Sequence, residues 1–341
     1  MPLRITQTRP ADGKVTWLEL FFDLVFVAAV SQVGEPLRDH YTIGELTRFT
    51  PLFLLIWWAW TGRALFSTRF ETDDGVQRAL TLIEMFAVAV MAANARDSLA
   101  SRSSAGFAAA YAVVRIILLV HYMRAIHVRE ARRLTVAYLV GHGSAAALWL
   151  VSAVVPAFAL RLTLWALAFV IDLGTPAFAI DHSVRTPPHP AHLPERFGLF
   201  TLILLGESVV AVMKGIESQE TWSMPAASSA LLGMAALFVI WWWYFDRVRA
   251  TGEHHVRTRA DAKRLQLWTY AHFPLYLAIV VIGVGVRRVV TSATHAELPA
   301  SDLLMWMTGA ALLLLSMTAI TMTGPRYRAQ RVASATYAAR C

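Results

Sequence analysis

Asp23, Glu84, Arg115, His142, Asp172, Glu207 and His272 each stand inside a stretch of this chain that is otherwise almost wholly apolar. Acids and imidazoles held out of water suit one kind of chemistry, the uptake and release of protons, and a buried guanidinium suits the holding of an anion. The clearest case is Phe200-Thr201-Leu202-Ile203-Leu204-Leu205-Gly206-Glu207-Ser208-Val209-Val210. At about 1.5 Å of rise per residue, Glu207 lies roughly 15 Å from the start of its segment, near the middle of a hydrocarbon layer about 30 Å thick. A charge there costs at least about 2.5–3.5 kcal/mol, so such residues line an interior path or pocket.

Glu19 and Asp23 are one helical turn apart and face the same way, with about 6 Å between their Cβ atoms. Two carboxylates that close, partly out of water, do not both ionise cheaply, so one is expected to hold its proton. Glu19 also fits the plainer job of stabilising a helix start. Arg115 does not escape burial by losing its proton, so it should pair with Asp172 or Glu207. His142, flanked by Gly141 and Gly143, sits where helices approach closely; it is either a hydrogen-bonded packing residue or a proton relay. Glu84, Arg63, Asp246, Arg247, Glu195, Arg196 and His272 all fall near the ends of apolar segments on one side. They form a candidate cluster of mixed sign, which ion-pair closure between helices explains as well as catalysis does.

Other signals are weaker. His182, His189 and His192 flank Thr186-Pro187-Pro188-His189-Pro190, read as a solvated loop, with no spacing of metal-ligand type. Asp73 and Asp74 suit a helix cap better than a cation site. No phosphate-binding glycine loop, nucleotide fingerprint or serine elbow is present. No metal ion and no cofactor is expected.

The elements that position these residues are set by composition. The chain is 57% hydrophobic and 16% charged, with a mean hydropathy of +0.50, against roughly 45–50% apolar and 25% charged for soluble domains. The net charge of +8 lies between apolar segments rather than in a patch, which reads as a topology signal and excludes nucleic acid as a partner. The single cysteine, Cys341, rules out an intramolecular disulfide. Residues 1–14 are polar and basic, and no cleaved leader is expected.

Ten apolar segments are long enough to span: 17–37, 46–66, 78–95, 105–124, 133–152, 160–181, 197–214, 225–246, 266–287 and 302–323. With the N-terminus inside, Lys and Arg divide 22 against 8 between the two sides, with Arg115 within a span. That bias places both termini in the cytoplasm. The expected division is a basic N-terminus (1–16), a first membrane half (17–181), a connection (182–196), a second membrane half (197–323) and a basic tail (324–341). Ile56-Trp57-Trp58-Ala59-Trp60-Thr61-Gly62-Arg63 resembles Ile240-Trp241-Trp242-Trp243-Tyr244-Phe245-Asp246-Arg247, and Glu19-Leu20-Phe21-Phe22 precedes the first as Glu195-Arg196-Phe197-Gly198 precedes the second. Spans one to four would then match spans seven to ten in a parallel repeat. Trp-rich segment ends at the headgroup level are the plainer explanation.

Glu19-Leu20-Phe21-Phe22-Asp23-Leu24-Val25-Phe26-Val27, Thr68-Arg69-Phe70-Glu71-Thr72-Asp73-Asp74, His192-Leu193-Pro194-Glu195-Arg196-Phe197-Gly198-Leu199-Phe200, Leu205-Gly206-Glu207-Ser208 and Tyr270-Ala271-His272-Phe273-Pro274 together resemble the bacterial low temperature requirement A proteins. The resemblance runs from about residue 17 to 290. It implies a multi-helix protein of the bacterial inner membrane and brings no assigned activity.

The expected fold is an all-α, polytopic transmembrane helical bundle of about ten spans with a polar interior. The leading functional expectation is a proton-linked transporter or channel-like protein. Asp23, Glu84 and Glu207 would titrate, or act as general acids, while Glu19, Arg63, Arg115, His142, Asp172, Asp246 and His272 line the path or bind substrate. The alternative is an intramembrane enzyme that protonates a lipid or isoprenoid double bond from a buried carboxylic acid. A third is a scaffold or sensor whose basic run, Arg247 to Arg264, touches anionic lipid. The expected partners are membrane lipids with a proton and a small solute, or a lipid or isoprenoid substrate, and a homo-oligomer is compatible with each.

Overall fold

The structure, a computed structural model, describes residues 6–7, 15–71, 74–100, 103–219, 223–251, 253–292 and 299–324. Its long elements are all helical: α1 (Trp17–Val33), α3 (Ile43–Ser67), α4 (Gly75–Ala95), α5 (Ser104–Ala125), α6 (Arg132–Val154), α7 (Phe158–Phe178), α9 (His192–Glu217), α10 (Met224–Thr251), α11 (Arg259–Thr291) and α12 (Ala300–Thr323). Two short helices, α2 (Glu35–Asp39) and α8 (Ile180–Arg185), lie between them. The extended residues Thr6–Gln7 (β1) and Phe70–Glu71 (β2) pair antiparallel, Thr6 opposite Glu71 and Gln7 opposite Phe70.

Each apolar segment became a helix, because a chain with no water to bond has to satisfy its backbone internally. Eight of the helices, α4 to α7 and α9 to α12, are long and apolar enough to cross a membrane. The first helix has only 17 residues, and α3 carries Glu45, Arg48 and Arg63 along its length. Large apolar side chains such as Phe86, Val140, Val170, Leu231, Leu232 and Leu315 stay exposed, the kind of surface a hydrocarbon layer covers.

Helix starts follow local chemistry. Thr16 and Glu19 form a reciprocal capping box: the Thr16 N–H donates to Glu19 Oε2 at 2.9 Å, and the Glu19 N–H donates to Thr16 Oγ1 at 3.3 Å. Asp74 caps α4 by accepting from the Gln77 N–H at 2.7 Å; Asp73 lies outside the described residues. At the start of α9 the expectation of a solvated loop is overturned. His189 is buried, and its Nδ1 accepts from the N–H groups of Ala191 and His192 at 3.3 and 3.1 Å. The ring thus takes the cap role, and α9 begins at His192 rather than near residue 197. His192 is buried as well. The connection is tied down by the His189 N–H donating to the Thr68 carbonyl at 2.7 Å and by Arg69 Nε donating to the Thr186 carbonyl at 3.2 Å.

The chain gathers into two compact units. The first comprises residues 1–33, 52–196 and 255–266; the second comprises 34–51, 197–254 and 267–341. In the first, α1 packs on α4, α5 packs on α4 and α6, and α6 packs on α7. Phe66, Phe70, Tyr122 and Tyr138 make an aromatic core there, with Phe66 edge-on to Tyr122 at 5.1 Å between centroids. Two glycines allow close approach. A Cβ on Gly62 would stand 3.1 Å from Arg115 Nη1, and one on Gly141 would collide with the Thr175 side chain. In the second unit α10 packs on α12, and Tyr41 donates its hydroxyl proton to the Val281 carbonyl at 3.1 Å.

Candidate functional site

The first unit concentrates charge in its interior. Arg196, on the first turn of α9, is fully buried and forks between the two acids of α1. Its Nη1 lies 2.6 Å from Glu19 Oε1, and its Nη2 lies 2.6 Å from Asp23 Oδ1. Nη1 also donates to Ser67 Oγ at 3.1 Å, and the Trp60 Nε1–H donates to Asp23 Oδ1 at 2.7 Å. A guanidinium from a distant segment thus stands between the two acids, and its charge lets both carboxylates face one donor. Asp23 Oδ2 has no hydrogen-bond partner among the described residues.

A second pair joins α3 to α4. Arg63 Nε approaches Glu84 Oε2 at 3.4 Å, and Arg63 Nη2 donates to Thr81 Oγ1 at 3.4 Å. The guanidinium lies 5.9 Å from the Phe22 ring and 5.5 Å from the Phe66 ring. Glu84 is fully buried, and neither of its carboxylate oxygens accepts a hydrogen bond among the described residues. Arg63 Nε and Nη1 likewise find no hydrogen-bond acceptor there. This is a loose contact between two desolvated charges.

The third group is in shorter contact. Arg115 Nη2 meets Asp172 Oδ2 at 2.7 Å and donates to the Tyr111 hydroxyl at 2.6 Å. His142 Nδ1 bonds the other Asp172 oxygen. The sequence left Asp172 and Glu207 open as partners of Arg115, and the partner is Asp172. The three groups interact electrostatically: Arg63 feels Glu19 and Arg196, and Glu84 feels Arg115 and Arg196. Arg69 and Arg161 are buried in the same unit and donate to backbone carbonyls, so its described interior holds more guanidiniums than acids.

Sequence reasoning gave no role to His121 on α5. It is fully buried, and neither ring nitrogen has a hydrogen-bond partner among the described residues. Its ring lies 5.2 Å from that of Phe66, and Arg63 and Arg124 are the charges it feels. Arg124, at the end of the same helix, holds Asp74 at 2.5 Å and Gln77 Oε1 at 3.4 Å. Its place in an apolar helix was the available signal. Arg196 was visible only as one basic residue at a segment start, and its two acids lie far away in sequence.

The second unit arranges its candidates differently. Glu207 meets Arg38 at 3.4 Å and is 30% exposed. His272 Nδ1 donates to the Trp268 carbonyl at 2.8 Å, because a carbonyl only accepts. That fixes Nε2 as the acceptor for the Tyr244 hydroxyl at 3.1 Å. The rings of Trp268, Phe197 and Tyr276 surround the imidazole at 4.2, 4.8 and 5.8 Å. Asp246 and Arg247 are exposed at the end of α10. Among the described residues no group of three or more His, Cys, Asp or Glu side chains gathers closely enough to hold a metal ion.

Comparison with known proteins agrees with the quoted motifs. A family model described as "Bacterial low temperature requirement A protein (LtrA)" matches residues 14–340. An uncharacterised protein of Rhizobium meliloti (strain 1021) is 25% identical over 283 residues, covering 80% of this chain and 68% of that protein. No solved structure matches the chain.

Proposed function

For this chain, which belongs to the bacterial low temperature requirement A family, we propose a proton-linked transporter of the inner membrane with Glu84 as its titrating acid. The observation that carries this reading is Glu84 itself. It is fully buried, it accepts no hydrogen bond among the described residues, and its ion contact with Arg63 stands at 3.4 Å. A carboxylate so weakly held gains most from a proton. Asp23 and Asp172 are held by short contacts to arginine; in this reading they shape the path, and Glu84 carries the load. Glu207, partly exposed beside Arg38, would serve as a second proton stop.

The same reading has ten spans with both termini inside, α1 and α3 crossing beside the eight helices already counted. It also takes in the parallel repeat. The matched residues Trp60 and Tyr244 are both buried, and each bonds an ionisable group, Asp23 and His272 respectively. An intramembrane enzyme would need its acid in an apolar pocket, whereas an arginine accompanies every buried acid of the first unit.

Purified protein in liposomes carrying a lumenal pH dye should move protons when a gradient is applied. Glu84→Gln keeps shape and hydrogen-bonding capacity but removes titration. It should abolish the flux while leaving the melting temperature unchanged or raised. Absence of flux from wild-type liposomes at every pH between roughly 5 and 8 would sink the reading.

A further inference from the structure

We propose that His189 is a pH-sensitive latch on the first turn of α9. Neutral, its ring closes that turn; on taking up a proton, it lets the turn go and loosens the hold of Arg196 on Glu19 and Asp23. The inference goes beyond the transport reading and does not depend on it.

The backbone donors fix the state of the ring. The N–H groups of Ala191 and His192 point at His189 Nδ1 from 3.3 and 3.1 Å. A backbone N–H only donates, so Nδ1 is bare and the ring's own proton sits on Nε2. Pro190 has no N–H, and the Leu193 N–H donates to the His189 carbonyl at 3.3 Å. One ring nitrogen therefore answers the donors that this helix start leaves open. His189 is itself anchored: it is buried, and its own N–H donates to the Thr68 carbonyl at 2.7 Å.

The turn so closed carries His192 and, four residues on along the same face, Arg196. Both reach one acid: His192 Nε2 stands 3.4 Å from Glu19 Oε2, and Arg196 Nη1 stands 2.6 Å from Glu19 Oε1. Asn, Ser or Thr would cap the turn at any pH. An imidazole in that place adds one property. A proton on Nδ1 removes the acceptor and turns an N–H toward the two already pointing there. It also sets a positive charge at a helix N-terminus, where the dipole opposes it. The charged or titratable side chains around this start are His192, Glu195 and Arg196 on α9, Glu19 on α1, and Arg69 just past the end of α3. Among all of these only the imidazoles ordinarily titrate between about pH 5 and 8.

Hydrogen–deuterium exchange of the full chain in detergent tests the latch, read on the amides of residues 191–196 and divided by the intrinsic rate at each pH. In the wild type their protection should fall at least about fivefold between about pH 8 and about pH 5, the loss expected of one helix cap. His189→Asn supplies an acceptor that does not titrate and should keep equal protection at both pH values. His192→Gln leaves the latch in place and should show the wild-type fall. Equal wild-type protection at the two pH values overturns the latch. So does a fall that survives in His189→Asn, one that vanishes in His192→Gln, or one shared equally by the amides of α5 and α6. The wild-type comparison decides even where a variant does not fold, and His189→Ser then replaces His189→Asn. Proton flux enters none of these measurements, so failure of the latch and failure of the transport reading are separate outcomes.

Discussion

Ile56–Arg63 and Ile240–Arg247 read almost alike, yet they end in different surroundings. In the first unit Trp57, Trp58 and Trp60 are all buried, and the terminal Arg63 is buried with them. In the second, Trp241 and Trp242 are 39% and 61% exposed, and Arg247 faces out. The first and fifth positions behave the same way: Ile56 and Ile240 are both buried, and Trp60 and Tyr244 are buried and hydrogen bonded. The contrast extends to the units themselves. The first binds its helices with guanidinium–carboxylate contacts in a dry interior. The second surrounds His272 with rings and leaves its candidate acids exposed, Glu207 partly and Asp246 more fully. Matching local sequence sets which residues sit on one helix face, but what that face meets is set by charges arriving from elsewhere.

The largest expected effect that separates the units is loss of Arg196. Arg196→Ala leaves Glu19 and Asp23 facing each other without their shared guanidinium, and breaking such a buried pair costs roughly 3–5 kcal/mol. Arg38→Ala in the second unit removes a 3.4 Å contact to a partly exposed acid, and should cost no more than about 1 kcal/mol. Thermal or denaturant unfolding in detergent measures both, and equal losses would erase the contrast. Next come the matched residues. Trp60→Phe deletes a hydrogen bond to a carboxylate, about 1.5–3 kcal/mol, whereas Tyr244→Phe deletes one to a neutral imidazole, about 0.5–1.5 kcal/mol. If Tyr244→Phe proves the more damaging in the same melt, the ring-lined site is the better-built of the two.

The smallest effect at neutral pH belongs to His254, in the connection between α10 and α11. Burial against Trp268, 4.7 Å away between ring centroids, lowers its pKa from 6.5 to about 4. The unfolded chain therefore binds the proton more readily than the folded one. The stability due to a neutral His254 is full above about pH 6.5 and is lost as pH falls toward 4. His254→Phe should flatten the stability profile across that window and leave the value at pH 8 nearly unchanged. A profile identical to wild type between pH 4 and 6.5 would show that the ring is not held neutral.

Much of the scaffold was legible because its causes are local. An apolar run that cannot bond water becomes a helix, so each of the ten segments lies on a long helix, although α9 and α11 start five and seven residues earlier than the apolar runs do. The Thr16–Glu19 box and the Asp74 cap are likewise set by side chains three residues from the groups they bind. The His189 cap was misread as solvated because a proline-rich connection looks polar in sequence; its burial depends on Thr68 and Arg69, more than 100 residues earlier.

The partners of the buried charges were of another kind. Sequence alone determined that Arg115 needs an acid and that Asp23 cannot stand unassisted in an apolar helix, because the cost of an isolated charge in a dry medium does not depend on the fold. It did not determine that Asp172 answers the first need and Arg196 the second, or that Glu84 and His121 are left with so little. Those pairings join residues 57 and 173 positions apart. Only tertiary structure decides them, because a hydrogen bond or ion pair acts over a few ångströms, and only packing brings such distant residues within that reach.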